Sequence, residues 1–355
     1  MLRERTNKNI FSCIFFKRER TKVSYMVISD LPGSYRSEID KEIRKLIPRN
    51  KNPWEVYGII WDFLERGGKR FRPALCLLCA ESVRGKREDA LPAATCIELF
   101  HNFTLIHDDI EDDSKMRRGK PCLHIMHGLP LAINAGDGLF MMSWKAILES
   151  RLPVRKQLEV QERLHRTFTA VLEGQAVELR WLREKRWNIT EENYLEMARG
   201  KTGALIAGSC EVGGLAGGAS AAQAKMLYEF GMAVGLAFQV QDDILNLVGK
   251  EEEYKKEIGG DITEGKRTLM VLHTLKKAAP EEKQYIIKTL DSHTGRQEEI
   301  GKVVAIMEKY GSIAYAKRIA KKMVVDAKRG VMALPATQAR ERLLALADFL
   351  IERKV

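Results

Sequence analysis

The sequence predicts an all-α protein that folds as one domain of about a dozen helices. Apolar residues recur at steps of three and four from about position 37 to the C-terminus, which is the period of an amphipathic helix. Alternating patterns rich in β-branched residues, which would indicate strands, are missing from the sequence. The chain has 355 residues with 45% apolar and 30% charged side chains, as ordinary globular proteins have. We therefore expect a single domain over 26–355.

The predicted helices are separated by breaks that contain Gly and Pro, such as Arg66–Lys69 and Gly119–Pro121. In chain order, the segments with helical periodicity are 53–65, 73–84, 88–111, 136–150, 155–182, 190–215, 220–248, 266–278, 297–309, 312–328 and 336–352. The segments 88–111 and 220–248 carry apolar or small residues on most faces. Helices of that kind are buried on all sides, so these two are predicted to be central.

The first 25 residues differ from the rest of the chain. They hold seven basic and two acidic residues, with a six-residue apolar island at Phe11–Phe16. That island is short for the core of a signal peptide, which needs roughly 7–15 apolar residues. We expect 1–25 to be a disordered extension, or the result of a start codon assigned too early, with the functional chain beginning near Met26.

Net charge and cysteine content limit the function classes. The formal charge is +11, and much of it lies in the first 25 residues. Binding of nucleic acid is therefore not expected, whereas a basic pocket for an anionic small substrate accounts for the surplus. The six cysteines lack the spacing of a disulfide framework, and Cys76 and Cys79 have no second pair to form a metal site. We expect buried, reduced thiols, a cytoplasmic protein, and no transmembrane segment.

Acidic residues follow each of the two predicted central helices. Asp108-Asp109-Ile110-Glu111-Asp112 ends the first, and Gln241-Asp242-Asp243-Ile244-Leu245-Asn246 ends the second. Asp108 and Asp112 are four positions apart, so their like charges share one helix face and repel each other. Solvated helix ends would account for either cluster alone. Two such clusters instead indicate bound cations, and oxygen ligands without His or Cys favour Mg²⁺, which keeps positions open for substrate phosphate.

Short basic segments complement the two acidic ones. They are Gly67–Pro73, Arg117–Pro121, Lys201–Gly203 and Gly259–Thr268. Cations placed beside metal-binding carboxylates suit a diphosphate, because Arg donates two parallel hydrogen bonds and Lys acts as a point charge.

Together, these segments resemble the motifs of trans-isoprenyl diphosphate synthases, the polyprenyl synthetase family. The resemblance runs from about Ile39 to the C-terminus. It includes GGKRxRP at Gly67–Pro73, DDxxD at Asp108–Asp112, RRGKP at Arg117–Pro121, KTG at Lys201–Gly203, and GxDxxEGK at Gly259–Lys266. The resemblance implies a helical bundle around a central cavity, a homodimer, and Mg²⁺-dependent head-to-tail condensation of isopentenyl diphosphate with dimethylallyl, geranyl or farnesyl diphosphate.

The same resemblance implies a role for particular residues. The catalytic residues would be Asp108, Asp109, Asp112, Lys201, Asp242 and Asp243. Three of these acids would bind Mg²⁺, namely Asp108, Asp112 and Asp242. Isopentenyl diphosphate would be held by Lys69, Arg72, His101 and Arg118. The allylic diphosphate would be held by Arg117, Lys201, Thr202, Gln239, Lys256 and Lys266.

Three positions depart from the family pattern. Asn246 stands where the second acidic motif commonly has a third Asp, so metal binding is expected to survive but to be weaker. Glu178 stands where Asp usually ends a Gln-x-x-Asp element. The lysine that precedes GxD is assigned to Lys256, although the spacing also allows Lys255.

The length of the product is argued from the first acidic helix. Phe103 lies five residues before Asp108, about 1.5 turns or roughly 7–8 Å along the axis. The next residue, Thr104, is small, and the first motif has no two-residue insertion. This pattern resembles short-chain synthases of the archaeal geranylgeranyl type. We expect Phe103 and Thr104 to set the floor of the chain cavity and the product to be C20, with C15 or a C15/C20 mixture as the alternative.

Other classes of protein fit parts of the sequence. Two Glu-x-x-His pairs, Glu98/His101 and Glu162/His165, have the spacing of di-iron helical bundles. His107-Asp108 could belong to a helical metal phosphohydrolase. A class I terpene cyclase or a non-catalytic partner subunit would share the fold. None of these alternatives accounts for both acidic clusters and the basic motifs together.

Overall fold

The computed structural model describes residues 31–249 and 259–352. The predicted extension over 1–25 lies outside the described residues, and so do Lys255 and Lys256. The boundary proposed at Met26 lies outside them as well.

The described residues form helices almost throughout, which confirms the predicted fold class. The helices are α1 (Leu31–Leu46), α2 (Trp54–Glu65), α3 (Phe71–Ser82), α4 (Arg87–Glu111), α5 (Leu123–His127), α6 (Leu129–Leu148), α7 (Val154–Arg183), α8 (Glu191–Ala198), α9 (Ala204–Ala216), α10 (Ala221–Val248), α11 (Gly260–Thr263), α12 (Leu269–Lys277), α13 (Pro280–Asp291), α14 (Gln297–Lys309), α15 (Ser312–Val331) and α16 (Gln338–Glu352). A two-residue antiparallel ladder pairs β1 (Met116–Arg117) with β2 (Lys120–Pro121).

The predicted segments differ from the observed helices in several places. The segment predicted at 190–215 consists of α8 and α9 joined by a π-helical turn at Arg199–Gly203. Helix α6 begins at Leu129 rather than at 136, and α1, α13 and the short helices α5 and α11 were not among the predicted segments. In α13 only Ile286, Thr289 and Leu290 are buried, so its apolar stripe is too narrow to stand out from the sequence.

The centre of the bundle contains one helix more than the sequence predicts. Helices α4 and α10 are central, as expected, and each is buried along most of its length. Helix α9 lies against both of them and is buried at all thirteen positions. Its residues are mostly Ala, Gly and Ser, which allow close approach, and a Cβ at Gly213 would lie 2.1 Å from the carbonyl oxygen of Cys76 on α3. Small residues give a weak hydrophobic signal, so the sequence does not identify α9 as central.

The cysteines of the described residues are buried and unbridged, as predicted. Burial raises the pKa of the Cys76 and Cys79 thiols well above the ordinary value, which keeps them protonated and unreactive. Within the described ranges, we find no helix that is both long and apolar enough to cross a bilayer.

Local sequence explains where several helices begin. Thr190 and Ser220 each accept a hydrogen bond from the backbone N–H three residues later, and the side chains of Asn193 and Gln223 return the bond. These reciprocal caps satisfy backbone groups that would otherwise lack partners at the first turn. They determine where α8 and α10 begin, and both helices carry residues of the site described below.

Candidate active site

The first acidic segment and the GxDxxEGK segment lie close together in the fold. Asp112 follows the last residue of α4, and Asp261 lies in α11, within the GxDxxEGK segment. The ammonium group of Lys266 lies between them, 3.9 Å from Asp112 Oδ2 and 3.7 Å from Asp261 Oδ1. Carboxylates from the two halves of the chain therefore lie within reach of one small charged group.

Asp108 and Asp242, the first acids of the two motifs, also lie in a shared electrostatic environment. Burial lowers the pKa of the Arg72 guanidinium to about 10, and the negative charges of Glu98, Asp242 and Asp108 oppose that shift. The charges of both acidic motifs thus influence the pKa of the same side chain, Arg72, as expected if the two motifs lie close together.

Burial makes the negative charges of Asp108 and Asp112 energetically unfavourable. Burial raises the pKa of the Asp108 carboxyl to about 6, with Lys201 opposing the shift and Asp112 adding to it. Burial likewise raises the pKa of Asp112, and the positive charge of Lys266 opposes it. Two half-buried carboxylates one turn apart are favourable only if positive charge lies near them.

This arrangement predicts a pH-dependent stability of the metal-free protein. The folded-state pKa of Asp108, about 6, exceeds its ordinary value of 3.8. The contribution of Asp108 to folding is thus present below about pH 4 and is lost as the pH rises through about 6. In EDTA, we expect the melting temperature of the wild type to fall relative to that of Asp108→Asn by about 2 °C or more between pH 5 and pH 7. Parallel pH profiles of the two proteins would contradict this expectation.

Asp109 points away from the other two acids of its motif. It is almost completely buried, and it accepts hydrogen bonds from Arg117, whose Nε lies 2.6 Å from Asp109 Oδ1. Burial alone would lower the pKa of Arg117, but the negative charge of Asp109 raises it by more. The pKa therefore lies above its ordinary value, and the guanidinium stays charged. Asp109 therefore anchors Arg117, which is half-buried at the edge of the cavity.

Lys201 and Glu178 form a close ion pair above the first acidic motif. Lys201 lies in the π-helical turn at Arg199–Gly203, and turns of this kind occur frequently at functional sites. Its ammonium group donates to Glu178 on α7. Burial alone would raise the pKa of Glu178, but Lys201 and Lys266 lower it. Glu178, where the family pattern has Asp, therefore remains an anion that holds Lys201 in place.

Helix α7 and the π-helical turn approach each other closely because both carry glycine. A Cβ at Gly174 would lie 2.1 Å from the backbone nitrogen of Lys201, and one at Gly200 would lie 2.8 Å from the carbonyl oxygen of Ala170. No side chain fits in that space, so these glycines allow α7 and the π-helical turn to pack against each other.

Asn246 binds backbone at the second acidic region. Its side-chain oxygen accepts a hydrogen bond from the N–H of Asp261 at 3.0 Å, and its backbone carbonyl accepts one from Gly259 at 2.7 Å. The side chain is buried. The amide at this position thus joins the end of α10 to α11 and holds the loop that carries Asp261 and Lys266.

A second group of cations lies beside the acidic clusters, on the side of α3. Arg72 Nη1 donates to His101 Nε2 at 3.1 Å. Burial and four nearby arginines lower the pKa of His101 well below its usual range, so the imidazole is neutral. Arg118 donates to the carbonyl oxygen of Gly67, and burial lowers its pKa to about 10. Lys69 is exposed in the turn before α3.

Gly68 is required by this cluster of guanidinium groups. Its φ is +141°, in a region that side chains rarely adopt, and a Cβ would lie 3.0 Å from Arg118 and 3.1 Å from Arg70. The Gly-Gly turn therefore lets these two guanidinium groups approach the backbone.

Arg70 and Glu98 form a buried pair that the sequence analysis did not identify. Arg70 donates to Glu98 Oε1 at 2.8 Å and to Asp40 at 2.9 Å, and the Arg70 and Glu98 side chains are about 4% and 3% exposed. Asn102 donates to the same Glu98 oxygen at 2.8 Å and lies 3.4 Å from Arg118. The sequence contained one signal for this pair, because Glu98 is a charged residue within an otherwise apolar part of the predicted helix.

A chain of hydrogen bonds joins the KTG turn to the second acidic motif. Thr202 donates to Gln239 Oε1 at 2.5 Å, and Gln239 Nε2 donates to Asp243 Oδ1 at 2.7 Å. Tyr194 donates to Asp243 Oδ2 at 2.7 Å. Tyr194 was not predicted as a site residue, because nothing in the local sequence of α8 indicates its partner.

The residues predicted to form the cavity floor lie in an aromatic cluster. The Phe103 ring centroid lies 5.3 Å from that of Phe140 on α6 and 5.5 Å from that of Phe100. Below them, Phe100 stacks on Phe168 of α7, with centroids 3.6 Å apart. Thr104 is half-buried, and its hydroxyl bonds to the carbonyl oxygen of His101. The first acidic helix thus runs from an apolar aromatic layer to a charged end.

The chemistry of the acidic residues fits a metal that is shared with a ligand. In residues 31–249 and 259–352, no group of three or more His, Cys, Asp and Glu side chains is arranged to hold a metal alone. Asp108 and Asp112 offer oxygen donors on one face, and burial raises the pKa values of both carboxyls. Such a site suits a hard cation that keeps several positions for water or phosphate oxygen.

The structure does not support the di-iron alternative. Glu98 is paired with Arg70, while Glu162 and His165 are exposed on α7. The two Glu-x-x-His pairs therefore do not face a common centre. In the phosphohydrolase alternative, His107 would need further ligands, but its ring lies beside Asp137, at 3.6 Å.

Comparison with known proteins identifies the fold and its relatives. The chain matches the family model described as polyprenyl synthetase over residues 54–307. It is 38% identical to a short chain isoprenyl diphosphate synthase of Methanothermobacter thermautotrophicus, over 93% of this chain and 99% of the relative. It is 34% identical to a geranylgeranyl diphosphate synthase of Methanosarcina mazei, with the same shares covered. The crystal structure of a geranylgeranyl pyrophosphate synthetase from Pyrococcus horikoshii superposes with a TM-score of 0.87 at 38% identity, covering 93% of this chain and 99% of that one.

Proposed function

Because the chain belongs to the polyprenyl synthetase family, we propose that it condenses isopentenyl diphosphate head to tail with an allylic diphosphate. The family match confirms the resemblance that the motifs predicted, and it makes the chain a prenyltransferase. The allylic substrates would be dimethylallyl, geranyl and farnesyl diphosphate, and the main product geranylgeranyl diphosphate. The activities named for the relatives from M. mazei and P. horikoshii support a C20 product.

The observation that carries this proposal is the convergence of the first acidic motif and the GxDxxEGK segment around Lys266. Asp112 and Asp261 lie on either side of its ammonium group, with Lys201 and Glu178 close by. Burial alone would lower the pKa of Lys266, but the surrounding acids raise it by more. The pKa of Lys266 therefore lies well above its ordinary value, and the side chain remains a cation. A diphosphate placed here would be held by Lys201 and Lys266, two cations from different elements of the fold.

Ionisation of the allylic substrate is the step that this end of the cavity would favour. The bond between C1 and the diphosphate oxygen breaks, and the diphosphate leaves with the electron pair. Arg117, Lys201 and Lys266 would stabilise the negative charge on the leaving group. Thr202 and Gln239 would direct oxygen dipoles towards the allylic cation, while the apolar cavity wall excludes water that would capture it.

Carbon–carbon bond formation would follow at the second cationic group. Lys69, Arg72, His101 and Arg118 would hold isopentenyl diphosphate so that its double bond attacks C1 of the cation. The neutral imidazole of His101 keeps Arg72 oriented without adding charge. The new bond is completed when a proton leaves C2 of the isopentenyl unit, and the released diphosphate would accept it.

We further propose Mg²⁺ as the metal of this site. Members of the family bind diphosphates through a divalent metal ion. Asp108, Asp112 and Asp242 would hold it here, because their donors are all carboxylate oxygens. When bound, Mg²⁺ would supply positive charge to the oxygens of the leaving diphosphate.

The aromatic cluster supports a product of C20 length. Phe103 lies about 1.5 turns from Asp108, and its ring is packed between Phe100 and Phe140. A prenyl chain that grows from the acidic end along α4 would meet this ring. A C15 product or a C15/C20 mixture remains the alternative, and the same assay distinguishes them.

Replacing Phe103 by Ala is expected to lengthen the product by about one isoprene unit. The rise from position 103 to position 100 is about 4.5 Å, and the Phe100–Phe168 stack then forms a new floor. Products should be sized by chromatography of the prenyl alcohols. Phe103→Tyr preserves the ring and should leave the main product unchanged. If Phe103→Ala gives the wild-type distribution, the floor lies elsewhere.

A second copy of this chain is the partner that we propose. Large apolar side chains are exposed along α6 and α7, with Met141 at 61%, Leu148 at 66% and Val154 at 72% exposure. Leu129 and Ile133 extend the same side of α6. An exposed apolar surface of this extent marks an interaction site. Sedimentation equilibrium of the purified protein measures its mass directly, and a monomer at micromolar concentration would rule out the homodimer.

Prenyl transfer can be tested with purified protein and radiolabelled isopentenyl diphosphate. Each allylic primer is supplied separately with Mg²⁺, and the products are treated with phosphatase and sized. We expect C20 alcohol from each primer that is accepted. Release of phosphate or diphosphate without any longer prenyl product would overturn the proposed function.

A further inference from the structure

Two adjacent carboxylates of the second acidic motif have different surroundings. Successive helical residues differ by about 100° in direction, so Asp242 and Asp243 cannot face the same point. Asp242 is half-buried and contributes to the electrostatic environment of Arg72. Asp243 is 5% exposed and packs against α8, where Tyr194 is also buried. The two acids are therefore suited to different tasks.

Both oxygens of Asp243 accept hydrogen bonds from neutral donors. Oδ1 accepts from Gln239 Nε2 at 2.7 Å, and Oδ2 accepts from the hydroxyl of Tyr194 at 2.7 Å. The three side chains come from α8 and from successive turns of α10. A carboxylate held by two donors in a buried position is a structural anchor, and the group that it orients is the amide of Gln239.

An amide has a donor end and an acceptor end, and the two ends can exchange by rotation. In the structure both oxygens of Asp243 accept hydrogen bonds, so Asp243 holds the NH₂ end of Gln239. The carbonyl oxygen then faces Thr202, whose hydroxyl donates to it at 2.5 Å. If the amide were reversed, its N–H groups would be placed where the allylic cation forms, and their positive partial charge would oppose ionisation.

We propose that Asp243 is a positioning residue that orients the Gln239 amide towards the allylic cation, rather than a metal ligand, and that Tyr194 holds Asp243 in place. This inference rests on the proposed function, because the cation arises only in that reaction. It assigns separate roles to the two consecutive aspartates.

Exchange of the acid and the amide between the two positions tests this directly. In Asp243→Asn, the new amide faces two hydrogen-bond donors, the hydroxyl of Tyr194 and the NH₂ group of Gln239. In Gln239→Glu, the new carboxylate faces the carboxylate of Asp243. Each single variant should lower kcat by about 100-fold. In the double variant Q239E/D243N, the amide introduced at position 243 can donate to the carboxylate introduced at position 239, while Tyr194 and Thr202 keep their acceptors. We expect kcat of the double variant to exceed that of either single variant by at least about tenfold.

Two further measurements distinguish positioning from metal binding and from a general loss of structure. The KM values for both diphosphates should change less than about threefold in Asp243→Asn, and more of the consumed allylic substrate should be released as the alcohol. The rise in melting temperature on adding Mg²⁺ with inorganic pyrophosphate should be retained in Asp243→Asn and lost in Asp242→Asn.

The outcomes separate this inference from the proposed function. If the double variant is no better than the single variants, or if Asp243→Asn loses the response to Mg²⁺ and pyrophosphate, Asp243 is not a positioning residue and the inference is overturned. If the wild type itself makes no prenyl product, the proposed function fails. The response to Mg²⁺ and pyrophosphate would still decide whether Asp243 binds metal.

Discussion

Replacing Asp108 by Asn should lower kcat by at least about 100- to 1,000-fold, the cost of removing one group that stabilises charge in a transition state. The substitution preserves size and removes one negative charge from the face shared with Asp112. Steady-state prenyl transfer at saturating substrate and several Mg²⁺ concentrations measures the effect. The loss should persist when Mg²⁺ is raised, because the amide is a poor ligand for a hard cation.

Asp113 provides a matched control for the Asp108 substitution. It lies one residue after the motif, its side chain is exposed, and it bonds to Lys115. Asp113→Asn should leave kcat within about twofold of the wild type, since it removes the same charge outside the cavity. If Asp108→Asn retained wild-type kcat, the assignment of the first acidic motif would be wrong. Metal-free Asp108→Asn should be folded, because the substitution removes a buried repulsion.

Replacing Glu98 by Ala should destabilise the protein by about 3–5 kcal/mol, the cost of leaving a buried charge without its partner. Arg70 would keep its guanidinium in a nearly closed environment with Asp40 as its remaining acidic contact. Asn102 would lose the carboxylate oxygen that it contacts at 2.8 Å. Urea denaturation followed by circular dichroism measures the change in the free energy of unfolding.

An exposed ion pair provides the control for the effect of Glu98→Ala on stability. Arg329 and Asp326 lie three residues apart on α15, with side chains 77% and 52% exposed. Pairs of this kind are typically worth less than about 1 kcal/mol, so Asp326→Ala should change stability little. A Glu98→Ala protein within about 1 kcal/mol of the wild type would show that the buried pair does not stabilise the fold. Glu98→Gln, which keeps the shape and a hydrogen-bond acceptor, should lose less than Glu98→Ala.

The acidic motifs illustrate why activity and stability oppose each other here. Burial raises the pKa values of Asp108 and Asp112, so the unliganded fold carries unfavourable negative charge. The same charge would attract a divalent metal ion, and that ion would bind the diphosphate. Sites that bind strongly charged ligands commonly retain such strain, because the ligand supplies the compensating charge.

Periodicity and short motifs determined much of this protein at the level of sequence. Apolar residues at helical spacing identified most helices, because the buried stripe of a helix repeats every three to four positions. The sequence also placed the acids at the ends of two central helices. Local chemistry was sufficient here, since each motif keeps its residues within a few turns.

The tertiary structure alone decided which distant groups meet. Tyr194 bonds to a residue 49 positions later, and Arg70 bonds to one 28 positions later. Asp109 turned out to hold Arg117, although the sequence placed it beside Asp108. Helix α9 became central through small residues that allow close packing without a strong apolar pattern. A sequence specifies each element by its own pattern, whereas the partner of a buried polar group depends on how separate helices pack, and no local pattern records that.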